Sequence, residues 1–178
     1  QTIDSFAELF AQYGFKKHSF YPCYGMAEAT LFVTGGKSGV EYRTLYIDPV
    51  ALALNNVLEK QSDKAIPAVS SGWSYELDVM IVDPSSKQKI PENKIGEIWV
   101  SGDSVAQGYW GKTELSKEVF QAQIIPSDGK YYLRTGDLGF LNRNELFVTG
   151  RIKDLIIING RNIYPQDIEE HIHKIDPL

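Results

Sequence analysis

The pattern of apolar and polar positions changes along the chain from a helical period to short strand-like runs. Near the start, four apolar residues recur at the spacing of one helix face: Phe6, Leu9, Phe10 and Tyr13. They predict an amphipathic helix over residues 3–13, which Gly14 would end in a left-handed conformation. Asp48 and Pro49 form a helix start signal, and the apolar positions after them predict a second helix to about Glu59.

Short β-type runs dominate the remainder of the chain. Strands are predicted at residues 18–22, 43–47, 77–82, 95–101, 130–134, 138–141, 145–149, 154–158 and 161–164. Residues 142–144 and Asn159-Gly160 have the composition of tight hairpin turns, Thr113 is predicted to cap a further helix, and Pro165 to open another. Short strands at roughly ten-residue spacing predict a small barrel or a sandwich-like sheet. With the flanking helices, the expected fold class is α+β, with a β-rich, distorted barrel-like sheet.

Composition and charge argue against several classes of protein. The chain is 43% hydrophobic and 23% charged, as globular chains usually are, and its net charge of −5 is not accompanied by a basic stripe. Nucleic acid is therefore a poor partner. No apolar run approaches the ~20 residues of a membrane span, and no signal peptide opens the chain. The lone Cys23 has no second cysteine for a disulfide, which favours a reducing compartment such as the cytoplasm.

Three loops place a glycine beside a charged group at the end of a strand: residues 23–28, 134–137 and 150–154. Together they offer two carboxylates, an arginine and a lysine: Glu28, Asp137, Arg151 and Lys153. A carboxylate can bind Mg²⁺ or accept hydrogen bonds from both hydroxyls of a ribose, and arginine binds oxygens through its fork of N–H groups. The set suits a nucleotide with its metal, although each residue alone is also compatible with an ordinary turn.

Five motifs occur in one order: Tyr24-Gly25-Met26-Ala27-Glu28, Gly96-Glu97-Ile98-Trp99, Gly108-Tyr109-Trp110, Arg134-Thr135-Gly136-Asp137 and Gly150-Arg151-x-Lys153-Asp154. They resemble, in that order, core motifs of the adenylate-forming superfamily, which includes acyl-CoA synthetases, fatty acyl-AMP ligases, luciferases and peptide-synthetase adenylation domains. The resemblance covers essentially the whole chain, and Gly160 and residues 163–169 extend its last motif. Each motif alone is weak, but five in register are specific.

The resemblance implies roles for residues of the nucleotide site, with ATP and Mg²⁺ as cofactors. Tyr24 matches the aromatic residue that stacks on adenine, and Gly25 follows it in the same nucleotide-binding loop. Glu28 matches the catalytic carboxylate that holds Mg²⁺ on the triphosphate. Asp137 matches the acid that binds the ribose hydroxyls, and Arg151 matches the arginine that assists there.

The resemblance also implies a division into domains. Residues 1–150 match the C-terminal part of the large domain, and residues 151–153 match the hinge, with Lys153 at the bend between half-reactions. Residues 154–178 match the start of the small C-terminal domain and are expected to pack separately from the body. Residues 37–70 look like the insertion typical of fatty acyl-AMP ligases, which is thought to restrain domain motion; a plain surface excursion is the alternative.

The most similar branch is the fatty acyl-AMP ligases, which activate a fatty acid with ATP and transfer it to an acyl carrier protein or polyketide synthase. The loop at residues 21–31 is similar to that group's version. Ala27 replaces the threonine of many relatives, so a phosphate contact would move to Thr30 or to a backbone N–H. An acyl-CoA synthetase, with CoA as the acceptor, is the alternative within the superfamily.

The chain lacks two parts of the family pattern. No Ser/Thr/Gly-rich phosphate loop precedes the motifs, and no C-terminal lysine completes adenylation. The sequence starts without Met and stops soon after the predicted helix at Pro165 begins, which indicates a piece of a longer protein that is inactive alone. A non-catalytic, β-rich binding module is the alternative of a different class, although a scaffold alone would not need Glu28, Asp137 and Arg151.

Overall fold

A computed structural model describes residues 2–158, 161–163, 165, 168–169 and 172 of the 178-residue chain. The fold is α+β. Its described helices are α1 (Thr2–Phe10), α2 (Pro49–Leu52) and α3 (Thr113–Phe120). The described strands are β1 (Cys23–Tyr24), β2 (Thr34–Gly35), β3 (Thr44–Ile47), β4 (Ile66–Val69), β5 (Asp78–Val82), β6 (Gly96–Ser101), β7 (Leu133–Asn142), β8 (Glu145–Arg151), β9 (Ile156–Ile158) and β10 (Arg161–Ile163).

The largest described sheet is antiparallel and has the strand order β5-β6-β7-β8. Its longest strand, β7, joins two predicted strands into one of ten residues. The loop predicted at residues 134–137 is therefore corrected: these residues lie within β7, at an irregularity of its pairing with β6 where Gly136 takes φ 70°. The predicted hairpin between β7 and β8 is confirmed: Arg143 and Asn144 both have positive φ angles, 54° and 60°, as a two-residue turn of the type favoured in hairpins requires. Three antiparallel pairs accompany this sheet: β1 with β2, β3 with β4, and β9 with β10.

The central sheet is covered on both faces. In β6, Ile98 and Val100 belong to one apolar cluster and Trp99 to another, because successive side chains of a strand point to opposite faces. Tyr24 and Ala29 belong to the same cluster as Ile98. The loop that carries Glu28 therefore packs directly on the sheet that carries Asp137, which brings two of the predicted site loops together.

Residues 37–70 contribute buried side chains to the core, and their interpretation as the insertion of fatty acyl-AMP ligases stays a prediction. Four of their side chains are buried in one apolar cluster with Phe140 and Phe147 of the central sheet: Leu45, Ile47, Leu52 and Val57. The rings of Phe140 and Phe147 stack at 4.9 Å.

Arg43 attaches the same segment to the hairpin between β7 and β8. Its Nη1 and Nη2 donate to the side-chain and backbone oxygens of Asn142 at 2.6 and 2.7 Å. Its Nε lies 2.9 Å from a carboxylate oxygen of Glu145, which is 7% exposed. The segment is thus joined to the sheet by polar contacts as well as by apolar packing.

Several predicted helices differ in extent from those observed. The helix predicted over residues 3–13 ends at Phe10 and continues as a 3₁₀ turn to Tyr13, after which Gly14 takes φ 85° as predicted. The helix predicted to Glu59 stops at Leu52, although Asp48 accepts hydrogen bonds from the N–H groups of Val50 and Ala51, as its capping position predicts. Thr113 is the first residue of α3 and not its cap.

One prediction near the N-terminus is corrected. The strand predicted at residues 18–22 is wrong: residues 17–19 form a 3₁₀ turn and the strand begins at Cys23, where β2 provides its partner. The apolar face of α1 is covered only in part, since Leu9 is 61% exposed while Phe6 packs against Phe10 and Phe15.

The hairpin of β9 and β10 contacts the loop after α2. The backbone N–H of Asn162 donates to Ala53 at 3.1 Å, and its side-chain amide donates to Asn55 at 2.6 Å. Ile156 and Ile158 are 41% and 52% exposed, so they do not share the buried core of Ile98. The separate packing of residues 154–178 stays a prediction, and the predicted Asn159-Gly160 turn lies outside the described residues.

Candidate functional site

One cavity of about 690 Å³ is lined by all three loops that the sequence singled out. Its lining comprises residues 25–28, Glu97, Tyr109, 118–119, 134–137 and 151–153. Five of the predicted site residues are among them: Gly25, Glu28, Asp137, Arg151 and Lys153. Residues far apart in sequence thus face a common space, because β7 and β8 pair beside the loop after β1.

Asp137 is held by a donor on each carboxylate oxygen. The Tyr24 hydroxyl donates to Oδ2 at 2.7 Å, and Arg151 Nε donates to Oδ1 at 3.0 Å. The register of the hairpin sets the second contact, since Asp137 in β7 pairs directly with Arg151 in β8. Asp137 is 6% exposed, yet it lines the cavity, so an oriented acceptor faces any ligand there.

Tyr24 lies behind Asp137. Its side chain is 9% exposed, and it is not among the residues that line the cavity. Burial raises the pKa of the Tyr24 hydroxyl far above its usual value, and the hydrogen bond to Asp137 raises it further. The hydroxyl is therefore a permanent donor to Asp137, while the predicted stacking on adenine stays a prediction.

Glu28 lies in a 3₁₀ turn, residues 27–29, directly after the Tyr24-Gly25 pair. Its Oε1 accepts a hydrogen bond from the Tyr109 hydroxyl at 2.8 Å. Gly25 is required by a close backbone approach, because a Cβ there would lie 1.5 Å from the carbonyl oxygen of Leu31. The turn can therefore fold back on itself only with glycine at this position.

Thr30 is one of the two groups predicted to replace the phosphate contact that Ala27 cannot make, but its hydroxyl proton is used in another hydrogen bond. Its Oγ1 donates to the carbonyl oxygen of Ser104 at 2.7 Å, and Thr30 does not line the cavity.

Lys153 and Arg151 adjoin the end of β8. Arg151 is the last residue of β8, and Lys153 lies in the 3₁₀ turn that follows, residues 152–154. Both residues line the cavity, so it contains cations as well as carboxylates. The turn is the position where the sequence predicts the hinge, and the rotation itself stays a prediction.

Glu97 is a buried carboxylate that sequence reasoning did not identify as a functional residue. It is 2% exposed and accepts hydrogen bonds from Trp99 Nε1 at 2.9 Å and from Arg134 Nη2 at 2.9 Å. Its other oxygen accepts from the backbone N–H of Gly136 at 3.2 Å. Glu97 therefore holds the irregular part of β7 that presents Asp137, and it also lines the cavity.

The donor set suits a cation that is shared with a phosphate ligand. Among the residues that the structure describes, no group of three or more His, Cys, Asp or Glu side chains could hold a metal by itself. Mg²⁺ is usually bound by one or two carboxylates together with substrate phosphates, so the single carboxylate Glu28 fits that kind of site.

In the described part of the chain, no helix is both long and apolar enough to cross a membrane.

Comparison with known proteins identifies the family. The pattern that defines AMP-binding enzymes matches residues 1–110 of the 178-residue chain, which include the Tyr24–Glu28 loop and Tyr109. The chain belongs to the AMP-binding enzyme family. The resemblance of its motifs to adenylate-forming enzymes is thereby confirmed.

Curated relatives in the family include two bacterial ligases. FadD21 of Mycobacterium tuberculosis, provisionally named a fatty-acid–CoA ligase, is 41% identical over 178 residues, which cover 98% of this chain and 31% of the relative. JamA of Moorena producens, a medium-chain-fatty-acid–[acyl-carrier-protein] ligase, is 41% identical over 182 residues, which cover 99% of this chain and 31% of JamA. The chain thus spans about a third of the length of these relatives.

A solved structure with the same fold is a fatty acyl-adenylate ligase from Legionella pneumophila in complex with acyl adenylate and pyrophosphate. It is 47% identical, has a TM-score of 0.82, and is matched over 97% of this chain and 30% of its own length. The α+β fold class predicted from the sequence is confirmed by this likeness.

Proposed function

We propose that this chain is the nucleotide-binding part of a ligase that activates a fatty acid as acyl-AMP and passes the acyl group to an acyl carrier protein. The observation that carries the proposal is the single cavity onto which residues 25–28, 134–137 and 151–153 converge. A carboxylate with two fixed donors, a second carboxylate and two cations are the groups that a nucleotide with its phosphates requires.

In the proposed first reaction, a carboxylate oxygen of the fatty acid attacks the α-phosphorus of ATP. The new O–P bond forms as the bond from that phosphorus to its bridging oxygen breaks, and pyrophosphate leaves. Asp137 accepts hydrogen bonds from the ribose hydroxyls with the lone pairs that Tyr24 and Arg151 leave open, which fixes the nucleotide. Arg151 assists Asp137 at the ribose, and the Lys153 ammonium, which also lines the cavity, would stabilise negative charge that develops on the phosphates.

Glu28 would hold magnesium on the phosphate side of the same cavity. When bound there with ATP, the ion would neutralise phosphate charge and so favour departure of pyrophosphate. Glu28 is suited to this because its carboxylate lines the cavity and has its Oε1 oriented by Tyr109.

In the proposed second reaction, a thiol attacks the acyl carbon, AMP leaves, and the thiol proton passes to solvent. We assign the thiol to the phosphopantetheine arm of an acyl carrier protein, free or within a polyketide synthase. The likeness to a fatty acyl-adenylate ligase, the relative JamA and the integrated segment 37–70 support this assignment. CoA is the second candidate acceptor, because FadD21 is named for that thiol.

Cys23, an unpaired thiol, supports a cytoplasmic location.

The proposal is tested with the full-length protein that we propose contains this chain. Fatty-acid-dependent exchange of labelled pyrophosphate into ATP is expected, and Asp137→Ala should raise the KM for ATP about ten- to a hundredfold, because hydrogen bonds to a charged acceptor are lost. Asp63→Ala, at an exposed aspartate outside the cavity, is the matched control. Absence of acid-dependent exchange in the unaltered protein would refute the proposal.

The acceptor and the activity of the isolated chain need separate measurements. Mass spectrometry after supplying either a phosphopantetheinylated carrier protein or CoA identifies the thioester, and formation of acyl-CoA alone would refute the carrier assignment. The 178-residue chain by itself is expected to give no exchange. Robust exchange by it would contradict the prediction that it is inactive alone.

A further inference from the structure

Both carboxylates expected to bind the nucleotide accept a hydrogen bond from a tyrosine hydroxyl. Tyr24 donates to Asp137 at 2.7 Å, and Tyr109 donates to Glu28 at 2.8 Å. Tyr109 also lines the cavity and is 37% exposed. It therefore contacts the cation side of the site directly, unlike Tyr24, which lies behind the ribose side.

The segment before Tyr109 is attached to the Glu28 turn by the backbone. The N–H of Ala106 donates to the carbonyl oxygen of Glu28 at 2.8 Å, and Thr30 Oγ1 donates to the carbonyl oxygen of Ser104 at 2.7 Å. With the hydroxyl contact, three hydrogen bonds join residues 104–109 to residues 28–30. The two segments are thus fixed relative to each other before any ligand binds.

The Tyr109 side chain is itself held in place by α3. Its ring packs edge-on against Phe120 at 5.0 Å, and its backbone N–H donates to Ser116 Oγ at 2.8 Å. Gly108 allows this approach, because a Cβ there would lie 2.7 Å from the Ser116 side chain.

We infer that Tyr109 is a positioning residue that orients the Glu28 carboxylate toward magnesium on the phosphates. The inference rests on the proposed function. The hydroxyl occupies one lone pair of Oε1 and so restricts the rotation of the carboxylate of a residue that lines the cavity. Loss of the hydroxyl would leave Glu28 free to rotate, while the ribose side of the site, centred on Asp137, would be unchanged.

The test is calorimetric and uses Tyr109→Phe in the full-length protein without fatty acid. ATP is titrated at increasing magnesium concentrations, and AMP is titrated without magnesium. The magnesium concentration for half-maximal ATP affinity should rise about tenfold, whereas AMP affinity should stay within about twofold. Phenylalanine keeps the ring contact with Phe120, so AMP binding reports that the fold is intact. Tyr131→Phe, at a tyrosine that is 59% exposed and outside the cavity lining, should change neither quantity.

A second variant shows whether Tyr109 acts through Glu28. Glu28→Gln should show a magnesium shift of its own, and adding Tyr109→Phe to it should produce no further shift, since the hydroxyl then has no carboxylate to orient. Additive shifts would overturn the inference, as would equal weakening of AMP and MgATP or an unchanged magnesium dependence in Tyr109→Phe. If the unaltered protein binds no MgATP, the proposed function fails and this inference fails with it.

Discussion

Replacement of Glu97 by glutamine is expected to destabilise the fold more than any comparable exposed substitution. Glu97 is 2% exposed and accepts from four N–H groups, which belong to Trp99, to Gly136 and, as a pair, to Arg134. A glutamine amide offers one acceptor oxygen and two donors in the same space. At least one of these N–H groups would therefore face another donor, and Arg134 would lose its counter-charge.

The magnitude follows from the exposure of each partner. Removing one member of a buried ion pair costs about 3–5 kcal/mol, because the other charge is left uncompensated. The Arg134 side chain is 25% exposed, so water recovers part of that loss. We expect a loss of about 3 kcal/mol in the free energy of unfolding, which corresponds to a fall of about 6–12 °C in Tm for a chain of this size.

Equilibrium unfolding in urea, followed by tryptophan fluorescence and circular dichroism, measures this loss. Glu76→Gln, at an exposed glutamate, provides the matched control and should lie within about 0.5 kcal/mol of the unaltered protein. In the double variant Glu97→Gln/Arg134→Gln the loss should be smaller than the sum of the single losses, because the uncompensated charge is absent. If Glu97→Gln is as stable as Glu76→Gln, the conclusion that buried Glu97 stabilises the part of β7 next to Asp137 is wrong.

Three further predictions concern stability and binding. Lys60 and the helix N–H groups lower the pKa of Asp48 in the folded protein. The ionised Asp48 therefore stabilises the fold at pH values above the usual aspartate pKa, and this stabilisation is lost as the pH falls through the lowered pKa. In urea unfolding, Asp48→Asn should be less stable than the unaltered protein at pH 7 and equally stable in strong acid. The buried Thr149 hydroxyl has no hydrogen-bond partner among the described residues, so Thr149→Val should raise the free energy of unfolding by about 1 kcal/mol, and a lower Tm would contradict this. The Tyr24→Phe variant should bind AMP about tenfold more weakly in calorimetry, since Asp137 loses a hydrogen-bond donor. If the Tyr24→Phe variant binds AMP normally and a Tyr24→Ala variant does not, the role of the ring is to stack on the base.

The site was predictable where its chemistry depends on local sequence. The glycines beside charged residues pointed to the three segments that line the cavity, although Gly136 lies within β7 and not at a strand end. The ordered motifs indicated that Glu28, Asp137 and Arg151 act together. The cavity does bring these loops to one space. The sequence placed Glu97 in one of the motifs but did not reveal that it is buried and holds Arg134, because a lone acid within an apolar strand normally faces solvent. Its partner Arg134 is 37 residues away, and only the pairing of β6 with β7 brings them together.

The limits of the fold prediction have the same origin. Residues 18–22 contain strand-forming types, but a strand needs a partner, and β2 pairs with the two residues that follow them. The helix after Asp48 was predicted too long because its apolar spacing continues past Leu52. There Asn55 takes a left-handed φ of 58°, and the backbone of residues 55–57 forms hydrogen bonds with residues 93–95, just before β6. Both differences reflect contacts with distant segments that no local pattern encodes.

The packing of residues 37–70 has a consequence for engineering within the family. The segment supplies Leu45, Ile47, Leu52 and Val57 to the cluster that covers Phe140 and Phe147, so it is not a cassette that can be cut out and replaced by a short linker. Its excision would expose two phenylalanine rings of the central sheet to water, and each ring uncovered would lower the free energy of unfolding by about 1.5–3 kcal/mol. The exposed apolar patch would also promote aggregation. A chimera that omits the segment would need new side chains to cover that face before any change in acceptor thiol could be measured.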